Sequence, residues 1–385
     1  MKVMHLTTVD MSLELLLGPV LDEAVRRGYD VVGVSAAGPF VPQVQGRGVR
    51  HVALGSSTRR FDLLADLRTA YEFWRVLRRE RPDVLHTHNP KPGLYGRVLG
   101  RLAGVPVVVN TVHGLYASED DRPLKRALVY AAEFVGGHCS HAELVHNPED
   151  LATMRRLHLA PASHLHLLGS GVATERYSHV GRDRGSALRT QWGIDQTAVV
   201  VGTVGRLVAE KGIPELLEAF RSIEGARLVI VGGPDPEKPD ALPPDLVEQA
   251  ARDGVVFAGF CDDMPAVYQA FDVFVLASHR EGFPRSGMEA AAAGLPIVTT
   301  NIRGCRQVVS DGLNGLLVPV RSPEHLREAI ATLVGDAALR VRMGQESGRR
   351  AAEEFEEEAV IDRIFHCYQE VADQRQVSLS FGERE

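Results

Sequence analysis

The chain has 385 residues, about two domains' worth at roughly 100–200 residues each. Its 44% hydrophobic and 24% charged residues are an ordinary globular balance, and no run of about 18 apolar residues offers a bilayer span. A net charge of −7 with no recognition module argues against nucleic-acid binding.

The start, MKVMHLTTVDMS, is too poor in apolar residues for a signal peptide and reads as a first strand, so a cytoplasmic chain is expected. Cys139, Cys261, Cys305 and Cys367 lie far apart with no CxxC, which predicts free thiols. HTH at 86–88 and HCSH at 138–141 match no metal-ligand spacing, so no metal site is predicted. Residues 1–180 carry 21 Lys and Arg against 18 Asp and Glu, and the remainder 22 against 32. A basic first half suits an anionic partner, although uneven composition alone gives the same count.

The first half alternates apolar runs with helical stretches. VMHL, VVGVS at 31–35, VLHTH at 84–88, VPVVVNT at 105–111 and LHLL at 165–168 are continuous runs of the kind that parallel strands, buried on both faces, require. A helix over 13–27 should end at Gly28, and one over 62–80 at Arg81-Pro82. Residues 169–197, rich in glycine and charge, read as a linker. The pattern then restarts with AVVVGTVG, RLVIVGG, VVFAGF, DVFVLAS and LPIVTT, each followed by a loop and a helix. The fold class is therefore α/β, two doubly wound Rossmann-like halves, with ligands expected outside the carboxyl ends of the strands. Residues 339–373 are helical and charged and could return to the first half.

Two loops carry the chemistry. In GTVGRLVAEKGIPELL, Gly202 and Gly205 allow close backbone approach, Arg206 and Lys211 bring two cations, and Pro214 opens a helix. Cations beside a helix N-terminus suit a diphosphate. Neither a Walker A motif nor GxGxxG is present. In HREGFPRSGMEAAAAGLPIVTT, Pro284 should start a helix whose first turn, Arg285, Ser286 and Gly287, offers free N–H groups to phosphate oxygens. Glu281 precedes that helix and Glu289 lies along it. A carboxylate accepts from two donors, which fits a vicinal diol such as ribose at Glu289 and a second sugar at Glu281. Two glutamates alone are also what solvated surface looks like; their company with GRLVAEKG favours the site.

GRLVAEKG, HREGFPRSGMEAAAAGLPIVTT and RGCRQVVSDGLNGLLVP together resemble the retaining GT-B glycosyltransferases of family 4. HTHNPKPGLYGRVLGRLAGVPVVVNTVHGLY is similar to bacterial members that build exopolysaccharides or lipid-linked glycans. The resemblance implies two domains facing across a cleft: an acceptor domain over 1–178, a nucleotide-sugar domain over 179–355, a helix over 356–373 crossing back, and a flexible tail over 374–385. It gives Arg206 and Lys211 the donor diphosphate, Glu289 the ribose and Glu281 the transferred sugar. Gly282, Phe283 and Pro284 would supply backbone near that sugar, and His113 of TVHGLY would reach it from the first lobe. Asn314 and Gly315 look structural. The first loop, TTVDMSLELLLGP, lacks the glycine pair that many members carry there, and Gln307 stands where many have glutamate. No cofactor is implied; the donor is UDP- or GDP-linked, with UDP first.

No D-x-D occurs, which predicts transfer without a metal ion, the cations and helix N-terminus stabilising the leaving diphosphate. Retention follows from the resemblance alone. Residues 59–81 hold seven arginines and four acids; Arg68, Arg75 and Arg79 share one helical face, with Leu63, Leu67, Ala70, Trp74 and Leu77 opposite. That face is either a solvated surface or a contact for anionic lipid, which would make the protein peripheral on the inner face of the cytoplasmic membrane. Rival readings are a sugar phosphorylase or nucleotide-sugar epimerase on the same fold, and a non-catalytic nucleotide-sugar binding module.

Overall fold

The computed structural model describes residues 1–58, 62–117, 121–178, 182–236 and 238–379, and divides into two units. The first comprises Met1–Gly169 with the stretch from Ala359 onward, and the second Ser170–Glu358.

In the first unit seven strands form one parallel sheet: β1 (Lys2–Val9), β2 (Asp30–Ala36), β3 (Arg50–Ala53), β4 (Val84–His88), β5 (Val107–Val112), β6 (Ala142–Val145) and β7 (Leu165–Leu167). Their order is β3-β2-β1-β4-β5-β6-β7, so the winding reverses between β1 and β4. That reversal opens a crevice at the carboxyl ends of these two strands, where ligands of such sheets bind. β3 and β6 carry no long apolar run, RHVA and AELV, and escaped the sequence reading. β6 nonetheless buries Glu143 completely, because Arg97 and Asn110 both donate to its carboxylate at 2.8 and 2.7 Å.

The expected helix over 13–27 is two helices, Asp10–Leu15 and Gly18–Arg26. The break falls where Leu16 and Leu17 both donate to the Ser12 carbonyl and Pro19 has no N–H to continue the ladder. Helix Leu63–Glu80 ends at Arg81 in the left-handed conformation, before Pro82. Its packed stripe is Thr69, Phe73, Val76 and Leu77. Of the residues opposite the arginine face only Leu77 belongs to that stripe; Leu63 and Leu67 are exposed together with Leu64 and Tyr71. Arg59, Arg60 and Phe61 of the predicted basic helix lie outside the described residues.

The last helix, Glu357–Gln374, packs Val360, Ile361, Ile364, Phe365, Tyr368 and Val371 into the first unit's core. At roughly 1.5–3 kcal/mol per buried large side chain this is a substantial share of that core. Beyond it, the Val377 N–H donates to the Ala372 carbonyl and Leu379 lies against the same core, so 374–379 is packed chain; 380–385 lie outside the described residues.

The second unit has a parallel sheet of six strands: β8 (Val199–Val204), β9 (Ala226–Val231), β10 (Val256–Gly259), β11 (Val273–Leu276), β12 (Ile297–Thr300) and β13 (Gly315–Val318). Their order, β10-β9-β8-β11-β12-β13, reverses between β8 and β11. The stretch read as a linker is folded into this unit. It forms helices Thr174–Ser178 and Arg182–Gln191, and the fully committed Arg189 donates to Asp272 at 2.8 Å and to three carbonyls. Residues 179–181 of that stretch are outside the description. The division therefore falls at Gly169/Ser170 instead of 178/179, since Val172 donates to the Phe355 carbonyl and Thr174 bonds the Glu356 carboxylate.

Candidate active site

The reversal between β8 and β11 places two loops side by side: the one after β8, Gly205 to Gly212, and the one after β11, Ala277 to Pro284. The His279 N–H donates to the Glu210 carbonyl at 2.8 Å, and the His279 ring meets Glu215 at 2.8 Å, which ties the loops together. Gly212 sits between them at φ +68°, where a Cβ would come within 2.0 Å of the Ala277 carbonyl oxygen. Only glycine meets both demands, so the KG pair of AEKG is a packing requirement as much as a chemical one.

Across this seam Lys211 Nζ donates to Glu281 Oε1 at 2.6 Å, and Ser278 Oγ donates to the same oxygen at 2.8 Å. The motif residues from two halves of the sequence reading, 70 positions apart, are thus one ion pair. Arg206 is held by Asp235, from the loop after β9, at 2.6 Å, and is the more exposed of the two cations. The Gly205 N–H donates to the Val231 carbonyl, and Gly232, at φ +140°, lets the β9 loop pass within contact of the Gly205 carbonyl. Asp235 was not singled out from sequence; PDPEKPD carries no spacing that points to Arg206.

Pro284 is the N-cap of helix Arg285–Ala292, and no side chain caps it. Among the described residues the backbone N–H groups of Arg285 and Ser286 meet no protein acceptor. The Arg285 guanidinium, as distinct from its backbone N–H, folds back onto Glu289 at 3.0 Å and faces Glu357 at 3.8 Å. Glu289 is buried, and its second oxygen accepts from the Tyr268 hydroxyl at 2.8 Å. Burial, and then the Glu289 charge, push the hydroxyls of Tyr268 and Tyr177 well up. Each carboxylate oxygen of Glu289 thus accepts from at least one side chain of the protein. Neither tyrosine carries a sequence signal, being 21 and more positions from Glu289.

Phe283 lies edge-on to Phe355 at 5.8 Å and anchors the GFP turn to the core. Asn314 is fully buried; it donates to the Val308 carbonyl and accepts from the Ser310 N–H, a structural role as expected.

His113 belongs to the first unit and follows β5. The register pairs His5 of β1 with His86 of β4, and His88 lies two residues on, on the same face. The ligand nitrogens of these three buried rings lie within 4.8 Å of one another. The sequence reading missed this group, because His5 stands 81 positions from the HTH triplet and spacing rules cannot see across strands. His86 already bonds the Tyr368 hydroxyl at 2.6 Å and Thr111 at 2.7 Å, and His88 bonds His5 at 3.2 Å and His113 at 3.1 Å. Burial holds all of these imidazoles neutral: His5 falls to about 4, and His86, His88 and His113 lie well below their ordinary range.

Residues 186–350 match the model of glycosyl transferases group 1, and residues 19–171 that of the glycosyl transferase 4-like domain. The capsular polysaccharide biosynthesis glycosyltransferase CapM of Staphylococcus aureus is 26% identical, over 95% of this chain and 96% of its own. The UDP-Gal:alpha-D-GlcNAc-diphosphoundecaprenol alpha-1,3-galactosyltransferase of Escherichia coli is 28% identical, over 83% of this chain and 84% of its own. D-inositol 3-phosphate glycosyltransferase of Corynebacterium glutamicum is 30% identical, over 70% of this chain and 68% of its own. Among solved structures, Anabaena Alr3699/HepE in complex with UDP superposes with a TM-score of 0.79 at 20% identity, covering 96% of this chain and 100% of its own, a likeness of fold. The chain belongs to the GT-B glycosyltransferases, an enzyme family whose two Rossmann-like domains are the two sheets described here.

Proposed function

We propose that this glycosyltransferase moves a sugar from a nucleoside diphosphate sugar, UDP-linked first and GDP-linked second, to a hydroxyl of a growing or lipid-linked glycan. The observation that carries the reading is the Lys211–Glu281 pair beside Arg206 and the unpartnered Arg285 and Ser286 N–H groups, all at the winding reversal of one sheet. Departure of the nucleotide builds negative charge on its diphosphate, and preorganised donors aimed at developing charge are commonly the largest catalytic term. Arg206 and Lys211 offset that charge; the helix N-terminus supplies the oriented N–H groups. Glu281, already fixed by Lys211 and Ser278, accepts from hydroxyls of the transferred sugar, Glu289 from the ribose, and His113 is a hydrogen-bond partner of the sugar.

The reaction proceeds with retention and without a metal ion. The two acids nearest the cations, Glu281 and Asp235, are each occupied by a cation of the chain, which supports charge stabilisation by side chains. Retention rests on the family-4 likeness of the motif set. The acceptor class draws on the E. coli relative, named for a diphosphoundecaprenol acceptor, and on CapM, named for capsular polysaccharide. No described helix is long and apolar enough to cross a membrane. The exposed Leu63, Leu64, Leu67 and Tyr71 beside Arg68 and Arg75 suit peripheral contact with an anionic leaflet on the cytoplasmic side.

Thermal-shift screening against UDP, GDP and their sugars, then turnover of the hits, tests the donor; no stabilisation by any at millimolar concentration overturns it. Full activity after EDTA treatment is expected, and loss restored by Mg²⁺ would contradict the metal-free reading. The anomeric proton coupling of the product decides retention. Flotation with anionic but not neutral vesicles is expected of the lipid contact.

A further inference from the structure

The row of imidazoles in the first unit has a direction, and the direction decides which nitrogen His113 offers. We propose that His88, itself set by His5, is a positioning residue that holds His113 as the Nδ1–H tautomer, a neutral hydrogen-bond donor. The proposal rests on the reading of His113 as a partner of the donor sugar.

His5 Nδ1 faces His88 Nε2 at 3.2 Å, and His88 Nδ1 faces His113 Nε2 at 3.1 Å. A neutral imidazole has one N–H and one lone pair, so each of these contacts holds one proton and all protons in the row run the same way. Neutrality is secured by burial, and for His88 and His113 also by the neighbouring rings. The far end of the row chooses the direction. His5 Nε2 is buried and has no partner. If the row ran from His113 toward His5, this nitrogen would be an orphaned N–H, whose burial without an acceptor costs about 1–3 kcal/mol and is rarer than an unused lone pair. Run the other way, it is a bare lone pair.

His5 Nδ1–H therefore donates to His88 Nε2, and His88 Nδ1–H donates to His113 Nε2. The proton of His113 then sits on Nδ1, which makes no hydrogen bond among the described residues, on a partly exposed residue whose ring lies beside that of His146 at 4.7 Å. His86 does not compete, since its two nitrogens are spent on Tyr368 and Thr111. The same bonds speak against a metal centre here: a cation on His5, His86 and His88 would have to break the row and one of His86's bonds, and the His5 and His88 planes lie within 17° of each other, as an end-to-end bond between the rings requires. The ring nitrogen a histidine presents is set by the bond its other nitrogen makes. Here that bond gives the site a donor suited to a sugar oxygen and withholds a base.

The test is the two-bond 1H–15N spectrum of the 15N-histidine full chain at pH 7.5. His113 is expected to show a pyrrole-type Nδ1 and a pyridine-type Nε2; the reverse assignment overturns the proposal. In His88→Phe, His113 should lose its single tautomer and show averaged shifts, while an unchanged Nδ1–H form in the folded variant removes the positioning role. If that variant does not fold, the wild-type spectrum still decides the direction. Adding UDP-galactose or UDP-glucose addresses the sugar contact separately: an Nδ1–H resonance unmoved by either overturns the contact and leaves the tautomer lock standing.

Discussion

The carboxyl edges of the two sheets share a topology and differ in their electrostatics. At the reversal in the first sheet stand neutral imidazoles that bond one another, buried except for the partly exposed His113 at the end of the row. At the reversal in the second stand cations and acids in pairs, Lys211 with Glu281 and Arg206 with Asp235, none of them fully buried. The first unit does hold charge, but spends it internally: Arg97 is buried and locked between Glu133 and Glu143. The comparison teaches that the winding provides only the crevice. Neutral rings can orient an uncharged sugar but cannot offset a diphosphate, whereas the second edge has its charges in place before any ligand arrives.

The largest expected effect tests where charge is structural. Arg97→Met leaves Glu143 buried and unpaired and should cost about 3–5 kcal/mol in urea unfolding, whereas Lys211→Met, breaking a partly exposed pair, should cost at most about 1 kcal/mol. Similar losses in both would erase the distinction. On the rate side the order reverses. Lys211→Ala and Arg206→Ala should each lower kcat/KM by roughly 100–1000-fold, about 3–4 kcal/mol, by removing a donor to the leaving diphosphate. Near-normal values in both would end the charge-stabilisation reading.

Tyr268→Phe removes a hydrogen bond to the buried Glu289 carboxylate and should destabilise the second unit by about 1.5–3 kcal/mol, seen as a lower melting temperature. The fourth prediction is acid sensitivity confined to the first unit. His5 and His146 are pushed from 6.5 down to about 4, chiefly by burial. Between those values the unfolded chain binds protons that the folded chain refuses, so stability is lost as pH falls from about 6.5 toward 4. The slope reaches roughly 1.4 kcal/mol per pH unit for each such imidazole. Hydrogen exchange at pH 7.5 and 5.5, corrected for intrinsic rates, should show amides of β1, β4 and β5 opening more readily at the lower pH while β8 and β11 hold. Equal change in both sheets would count against the contrast.

Much of the second edge was legible because its residues are local to two loops. Lys211 follows β8 and Glu281 follows β11 at distances the turn chemistry of Gly212 and Pro284 fixes, so the motif pair could be read as one site. Asp235, Tyr268 and Tyr177 could not, since each reaches its partner from another element and carries no spacing. The turn of Arg285 was legible through its backbone N–H groups, but not the engagement of its guanidinium, which Glu289 four residues on and Glu357 from a distant segment both face. The stretch 169–197 looked like a linker because its glycines and charges are those of loops; Arg189 turns it into packed structure through carbonyls that composition does not record.

The sequence by itself determined the doubly wound architecture, through apolar runs of strand length alternating with helical periodicity, and it determined the loops that carry cations and acids, because those functions need particular residues within a few positions. The tertiary structure alone decided which side chains meet: that Lys211 bonds Glu281, that Glu289 is clasped by Tyr268 and Arg285, and that His5 joins a row ending at His113. The reason is strand register. A parallel sheet sets residues that are about eighty positions apart beside each other within hydrogen-bond reach, and no pattern along the chain encodes that pairing until the sheet has formed.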